Sequence, residues 1–129
     1  MPIKKIVLVK RKPGLSAEQF RDGYENSHSR IAVRLFGHLW LEYRRNYLLS
    51  GYNFTGDGGG ADEVGFDAVS EFTLRDEAAL EEMNRIAMAN QELIKEDEAR
   101  WFDQSRCWLV VADTRVEEGL AGARQSAQA

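Results

Sequence analysis

Six segments alternate along this chain in the order strand, helix, strand, strand, helix, strand, and that order leaves few ways to fold. Ile3 to Lys10 is rich in Ile and Val and closes on the turn residues Lys12-Pro13-Gly14. A helix opens at Ser16, which with Gln19 has the S-x-x-Q form of a capping box, and it breaks at Gly37. Glu42 to Leu49 alternates Tyr43, Arg45, Tyr47 and Leu49 on one side of a strand. Phe66 to Phe72 is a third strand, with Asp67, Val69 and Glu71 on one face. Between these two strands, residues 50–65 hold six glycines and read as a long flexible loop, suited to a mobile lid. Asp76 caps a second helical region in which Leu80, Met83, Ala87 and Leu93 sit at helical spacing; it runs, with a break near Asn90, to Trp101. Ser105 to Ala112 is the last strand. The expected fold is α+β, a ferredoxin-like βαββαβ arrangement with two helices on one face of an antiparallel sheet.

Two helices cannot cover both faces of such a sheet. Tyr43, Tyr47, Trp108 and the strand Val and Leu side chains then leave one face bare, which predicts a homodimer with two sheets packed face to face. Residues 1–113 make the domain, and residues 114–129 a small, polar tail, either flexible or packed on the partner subunit. With 129 residues and 43% hydrophobic content, one domain has enough apolar material for a core. A net charge of -4 and a pI near 5.2 give no electrostatic footprint for nucleic acid or an anionic membrane. Cys107 is the single cysteine, so a disulfide framework and a thiolate zinc site are both excluded. The N-terminal apolar run is too short for a signal peptide, and no apolar stretch approaches the ~18 residues of a membrane span. The chain reads as cytoplasmic, with no membrane or nucleic-acid partner.

One helical position stands out chemically. At about 100° per residue, Phe20, Tyr24, His28, Ile31 and Leu35 fall within an arc of roughly 80°. His28 therefore points inward beside a tyrosine. An imidazole titrating near neutral pH in a partly apolar cleft suits acid–base chemistry, although a hydrogen-bonded core histidine is the plainer alternative. Tyr24, one turn earlier, is placed to donate to a developing oxyanion. Asp67 or Glu71 can orient the imidazole; otherwise Asp67 bonds local backbone, and Glu71 pairs across the sheet with Arg44 or Arg45. Arg44, Arg45 and Asn46, between Tyr43 and Tyr47, either bind a substrate carboxylate or form a solvated strand face with one residue salt-bridged. Trp101 and Phe102 line an aromatic pocket or pack the core. Glu96, Asp97, Glu98 and Asp103 read as a charged helix face, since no histidine at ligand spacing accompanies them.

The stretches KRKPGLSAEQFRDGYENSHS, YRRNY, FDAVSEF and EDEARWFDQSR, in that order over about residues 3–112, resemble the EthD-like proteins (ethyl tert-butyl ether degradation family) of the dimeric α+β barrel superfamily. The resemblance implies an inward helix histidine at His28 and acidic strand positions like Asp67 and Glu71. Polyketide cyclases, muconolactone isomerases, quinol monooxygenases and haem-degrading enzymes share the superfamily, and most of the first three work without metal or organic cofactor. The chain departs from many relatives in two places: Ser29-Arg30 replaces Ala-Pro after the histidine, and the 50–65 loop is long.

The expectation is a cofactor-independent, metal-free lyase, isomerase or cyclase for a small aromatic, polyketide-like or lactone carbonyl compound. His28, Tyr24 and Asp67 form its catalytic set, and Glu71, Asn46, Tyr47, Trp101 and Phe102 its substrate contacts. A non-catalytic binding protein for a small hydrophobic molecule in a catabolic pathway, and a cofactor-free oxygenase of phenols or quinols, are the other two classes left open.

Overall fold

A computed structural model describes residues 1–122, so residues 123–129 of the expected tail lie outside the described residues, while 114–122 are exposed. The elements are β1 (Ile3–Val9), α1 (Ala17–Gly23), a π-helical turn (Tyr24–His28), α2 (Ser29–Phe36), a 3-10 turn (Gly37–Leu39), β2 (Trp40–Tyr47), β3 (Gly51–Tyr52), β4 (Gly58–Gly59), α3 (Ala61–Val64), β5 (Ala68–Leu74), α4 (Glu77–Ala89), α5 (Gln91–Trp101), a 3-10 turn (Gln104–Arg106) and β6 (Trp108–Ala112). The main sheet is antiparallel in the order β2-β5-β1-β6, which is the ferredoxin-like arrangement. Among the described residues no helix is long and apolar enough to cross a membrane.

Both helix starts form as the sequence dictates. The Ser16 hydroxyl accepts from Gln19 N at 3.0 Å while the Gln19 side chain accepts from Ser16 N at 2.9 Å. The Asp76 carboxylate accepts from Ala79 N at 2.9 Å, and the expected break falls at Asn90 between α4 and α5. Strand alternation then sets the core. Val7 and Val9 of β1 and Ala68, Ser70, Phe72 and Leu74 of β5 face the helices, where they pack with Phe20, Tyr24, Leu39, Ala79 and Phe102.

Two single-residue insertions shape that layer. The π turn adds a residue to the helix, so Ser29 N–H bonds to Tyr24 O and the Ser29 hydroxyl donates to Glu25 O at 2.7 Å. The inward stripe past His28 consequently shifts by one, and Ala32 and Phe36 take the cavity positions expected for Ile31 and Leu35. A β-bulge at Leu41 does the same in β2, because Trp40 pairs with Leu74 but Glu42 with Thr73. Trp40 and Tyr43 thus share the helix-facing side, and Trp40 stacks on Phe72 with ring centroids 4.6 Å apart.

Two expectations need correction. Tyr43 and Tyr47 are not on the bare face; they pack against the core, and the face without helices carries Ile6, Leu8, Val69, Val110 and Trp108. The 50–65 segment is not an unstructured loop: it forms the β3–β4 hairpin and α3, closed by Gly65 at φ 99°, with Asp62 paired to Lys10, just past β1, at 3.1 Å.

Gly23 is buried because α5 lies against it: a Cβ there would collide with the six-membered ring of the Trp101 indole. Gly23→Ala is expected to cost about 2–3 kcal/mol, read as a lower urea midpoint with an unchanged slope.

Candidate active site

Between the sheet and helices α2, α4 and α5 lies a cavity of about 390 Å3. His28 and Tyr24 reach it from the π turn, Trp40 and Tyr43 from β2, and Phe102 from the end of α5. The His28 ring packs edge-on against Phe102 at 4.8 Å and Tyr24 at 5.7 Å. Glu98 is the one acid in the lining, and no Lys or Arg of the described residues takes part. Nor do three His, Cys, Asp or Glu side chains converge anywhere among the described residues as a metal-holding group.

Behind His28 stands Asp97 of α5, 3% exposed. Its Oδ2 lies 3.1 Å from His28 Nδ1, and its Oδ1 accepts from the Ser27 hydroxyl at 2.7 Å and from the Trp101 indole N–H at 3.4 Å. A carboxylate this buried stays charged only where donors meet it, and Nδ1–H is the donor that Oδ2 requires. In the neutral imidazole this contact takes the proton on Nδ1 and leaves the lone pair on Nε2, which has no hydrogen-bond partner among the described residues.

Three tyrosines and one ion pair fill the β2 side. The Tyr24 hydroxyl donates to the Ser70 hydroxyl at 2.7 Å, and both Tyr24 and Tyr43 line the cavity. Burial raises the pKa of both phenols, Tyr24 most, while Arg45 and Tyr24 act on Tyr43 in the opposite direction. The Arg45 guanidinium lies 4.7 Å above the Tyr43 ring and donates to Glu25, whose Oε1 is 2.9 Å from one of its terminal nitrogens. The hydrogen bond from Arg45 is the main force holding Glu25 down to about 2, with help from the Tyr47 hydroxyl.

The remaining residues singled out in the sequence scatter. Phe102 lines the cavity, but Trp101 covers Gly23 and reaches Asp97 instead. Asp67 does not touch His28. It is buried at the far end of β1, where Arg11 N–H donates to Oδ2 at 2.9 Å and Lys10 Nζ lies 3.3 Å away. Asp67 and Tyr47 line a separate hollow of about 280 Å3 that shares no residue with the first. Glu71 pairs with Lys4 at 3.2 Å rather than with Arg44 or Arg45, on the helix-free face of the sheet. Asn46 donates to Val69 O at 2.9 Å at the exposed edge. Arg44 pairs with Glu42, so neither arginine is free for a substrate.

The orienting carboxylate is thus Asp97, which the sequence reading left in a charged helix face. A signal was present: Asp97 lies on the α5 stripe of Ile94 and Trp101, while its neighbour Glu96 faces solvent.

The family model of the EthD domain matches residues 12–105. The chain belongs to the EthD family. An EthD family protein from Bacillus halodurans superimposes with a TM-score of 0.60 at 18% identity, covering 89% of this chain and 100% of its own. An EthD-like protein from Ralstonia eutropha gives 0.63 at 17% identity, with 91% and 95% covered. A hypothetical protein from Arabidopsis thaliana gives 0.54 at 15% identity, with 90% and 91% covered. At these identities the likeness establishes the fold alone. No curated protein matches the chain.

Glu25 yields a pH prediction. Its folded pKa lies below the unfolded value, so its contribution is complete above about pH 4.5 and drains away as pH falls toward 2. Thermal melts of wild type and Glu25→Gln should differ at neutral pH and converge through that window.

Proposed function

We propose that this EthD-family protein carries out cofactor-independent proton transfer on a small, uncharged aromatic or cyclic carbonyl compound, with His28 as the base and Asp97 as its positioning residue. The observation that carries this reading is the His28–Asp97 contact opening onto an apolar cavity. His28 Nε2 takes a proton from the carbon alpha to the carbonyl. The C–H electron pair becomes the enolate double bond, and the negative charge moves to the carbonyl oxygen. The imidazolium, steadied by Asp97, then returns its proton to the same or another carbon of the delocalised enolate, which makes the net change an exchange or an isomerisation. Elimination or ring closure would follow from the same enolate. The substrate class follows from the lining: without a Lys or Arg in the wall, a carboxylate would enter the cavity unpaired, whereas a phenol or lactone suits it.

Deuterium wash-in tests the reading directly. Cyclic ketones and lactones that bind the cavity should exchange their alpha protons in D2O, followed by NMR. His28→Gln should slow that exchange by roughly 10²–10⁴-fold, and Asp97→Asn should slow it less while leaving ligand affinity near wild type. Tight binding with no exchange in any ligand would sink the acid–base reading in favour of a carrier.

The helix-free sheet face supports a homodimer as the working form. Asn46, Val69, Leu8 and Trp108 form one row across the four strands, and Arg44, Glu71, Ile6 and Val110 the next, so apolar side chains occupy the β1–β6 half. Trp108 is 60% exposed there. A second copy would cover this face. Sedimentation should give a dimer for the wild type and a monomer for Leu8→Glu, with the helix content of both unchanged.

A further inference from the structure

We propose that Tyr43, rather than Tyr24, is the side chain that donates a hydrogen bond to the oxygen of the bound ligand, with Arg45 as its electrostatic support. This deepens the acid–base reading and rests on it for the identity of the oxygen, a carbonyl that becomes an enolate or a phenol that becomes a phenolate.

The argument starts from proton counting. Tyr24 is 2% exposed, and its hydroxyl donates to the Ser70 hydroxyl at 2.7 Å. A phenol has one proton to give, and Tyr24 gives its own to Ser70. Tyr43 stands in the cavity wall, with its ring 4.7 Å from that of Trp40, and its proton is the one left for a ligand.

Arg45 favours that role. Its guanidinium lies above the Tyr43 ring, and Glu25 holds it in a hydrogen-bonded ion pair. A cation beside Tyr43 stabilises negative charge that develops there, so the Tyr43 proton is readily shared with an oxygen that gains charge. Trp40 and Tyr43 stand on the same side of β2 because of the Leu41 bulge. A flat ring entering between them and His28 would present its oxygen to Tyr43 and its edge to the imidazole.

The probe is 4-nitrophenol, whose phenol and phenolate forms are distinguished by absorbance, with nitrobenzene as a ligand of similar shape lacking the hydroxyl. Wild type should bind the phenolate in preference to the phenol. Tyr43→Phe should weaken phenolate binding by about tenfold or more and leave nitrobenzene affinity unchanged, which also reports that the cavity is intact. Tyr24→Phe should weaken it only a few-fold. An equal or larger loss in Tyr24→Phe, no loss in Tyr43→Phe, or no binding of 4-nitrophenol by the wild type overturns the proposal. The readout is binding and needs no turnover, so absence of deuterium exchange would sink the catalytic reading while leaving the donor assignment standing on its own result.

Discussion

A carboxylate in a protein interior has to be met by donors, and Asp97 is met by three, from Ser27, His28 and Trp101. Two of these sit on the π turn and the third on the same helix as Asp97, so the bond set docks α5 onto the one irregular turn of the first helix. Trp101 completes the joint by lying on Gly23, the residue where α1 hands over to the π turn. The consequences run outward from there. With α5 held at that height, Phe102 falls into the cavity beside His28, and the chain turns through Gln104–Arg106 into β6. The imidazole is locked by the same contact that fastens the helices, so orienting the base and stabilising the fold are one interaction.

The two insertions explain why helical and strand periodicity located the cavity only approximately. A 3.6-residue period carried through Tyr24–His28 places Ile31 and Leu35 inward, and the π turn moves those places to Ala32 and Phe36. A strict two-residue alternation separates Trp40 from Tyr43, and the bulge reunites them. Each insertion is local and leaves the order of elements intact. For that reason βαββαβ, the capping residues Ser16 and Asp76 and the break at Asn90 were all legible from sequence, as was the inward direction of Tyr24 and His28. Strand ends moved by about two residues, to Trp40–Tyr47 and Ala68–Leu74, because pairing register across the sheet decides where a strand stops.

Charged partners were the least legible part. Sequence spacing gives no account of which carboxylate crosses to which base when the contact spans 69 residues, as it does for Asp97 and His28. Asp67 looked better placed because it flanks a strand, yet its end of the strand lies beside Lys10 and Arg11, and those cations claim it. Arg45, which the sequence leaves as a substrate contact or a residue of a solvated strand face, is held by Glu25 on the π turn. In each case the deciding fact was the tertiary position of a neighbour, and burial then made the pairing obligatory.

These pairings also organise the field across the cavity. His28 is backed by an anion, Asp97, while Tyr43 is backed by a cation, Arg45, itself partly balanced by Glu25. In the proposed reaction, proton transfer from a neutral carbonyl compound to a neutral imidazole creates one positive and one negative centre. The positive centre forms beside Asp97, and the negative one, given an oxygen at Tyr43, forms beside Arg45. Fixed charges placed this way need no reorganisation when the new charges appear, which is where a preorganised site gains over water. The same arrangement disfavours an anion whose charge lies away from Tyr43, since it would meet Glu98 with no free cation in the lining to offset it. A neutral ring that becomes polar only during the proposed reaction is the occupant that best matches this distribution of charge.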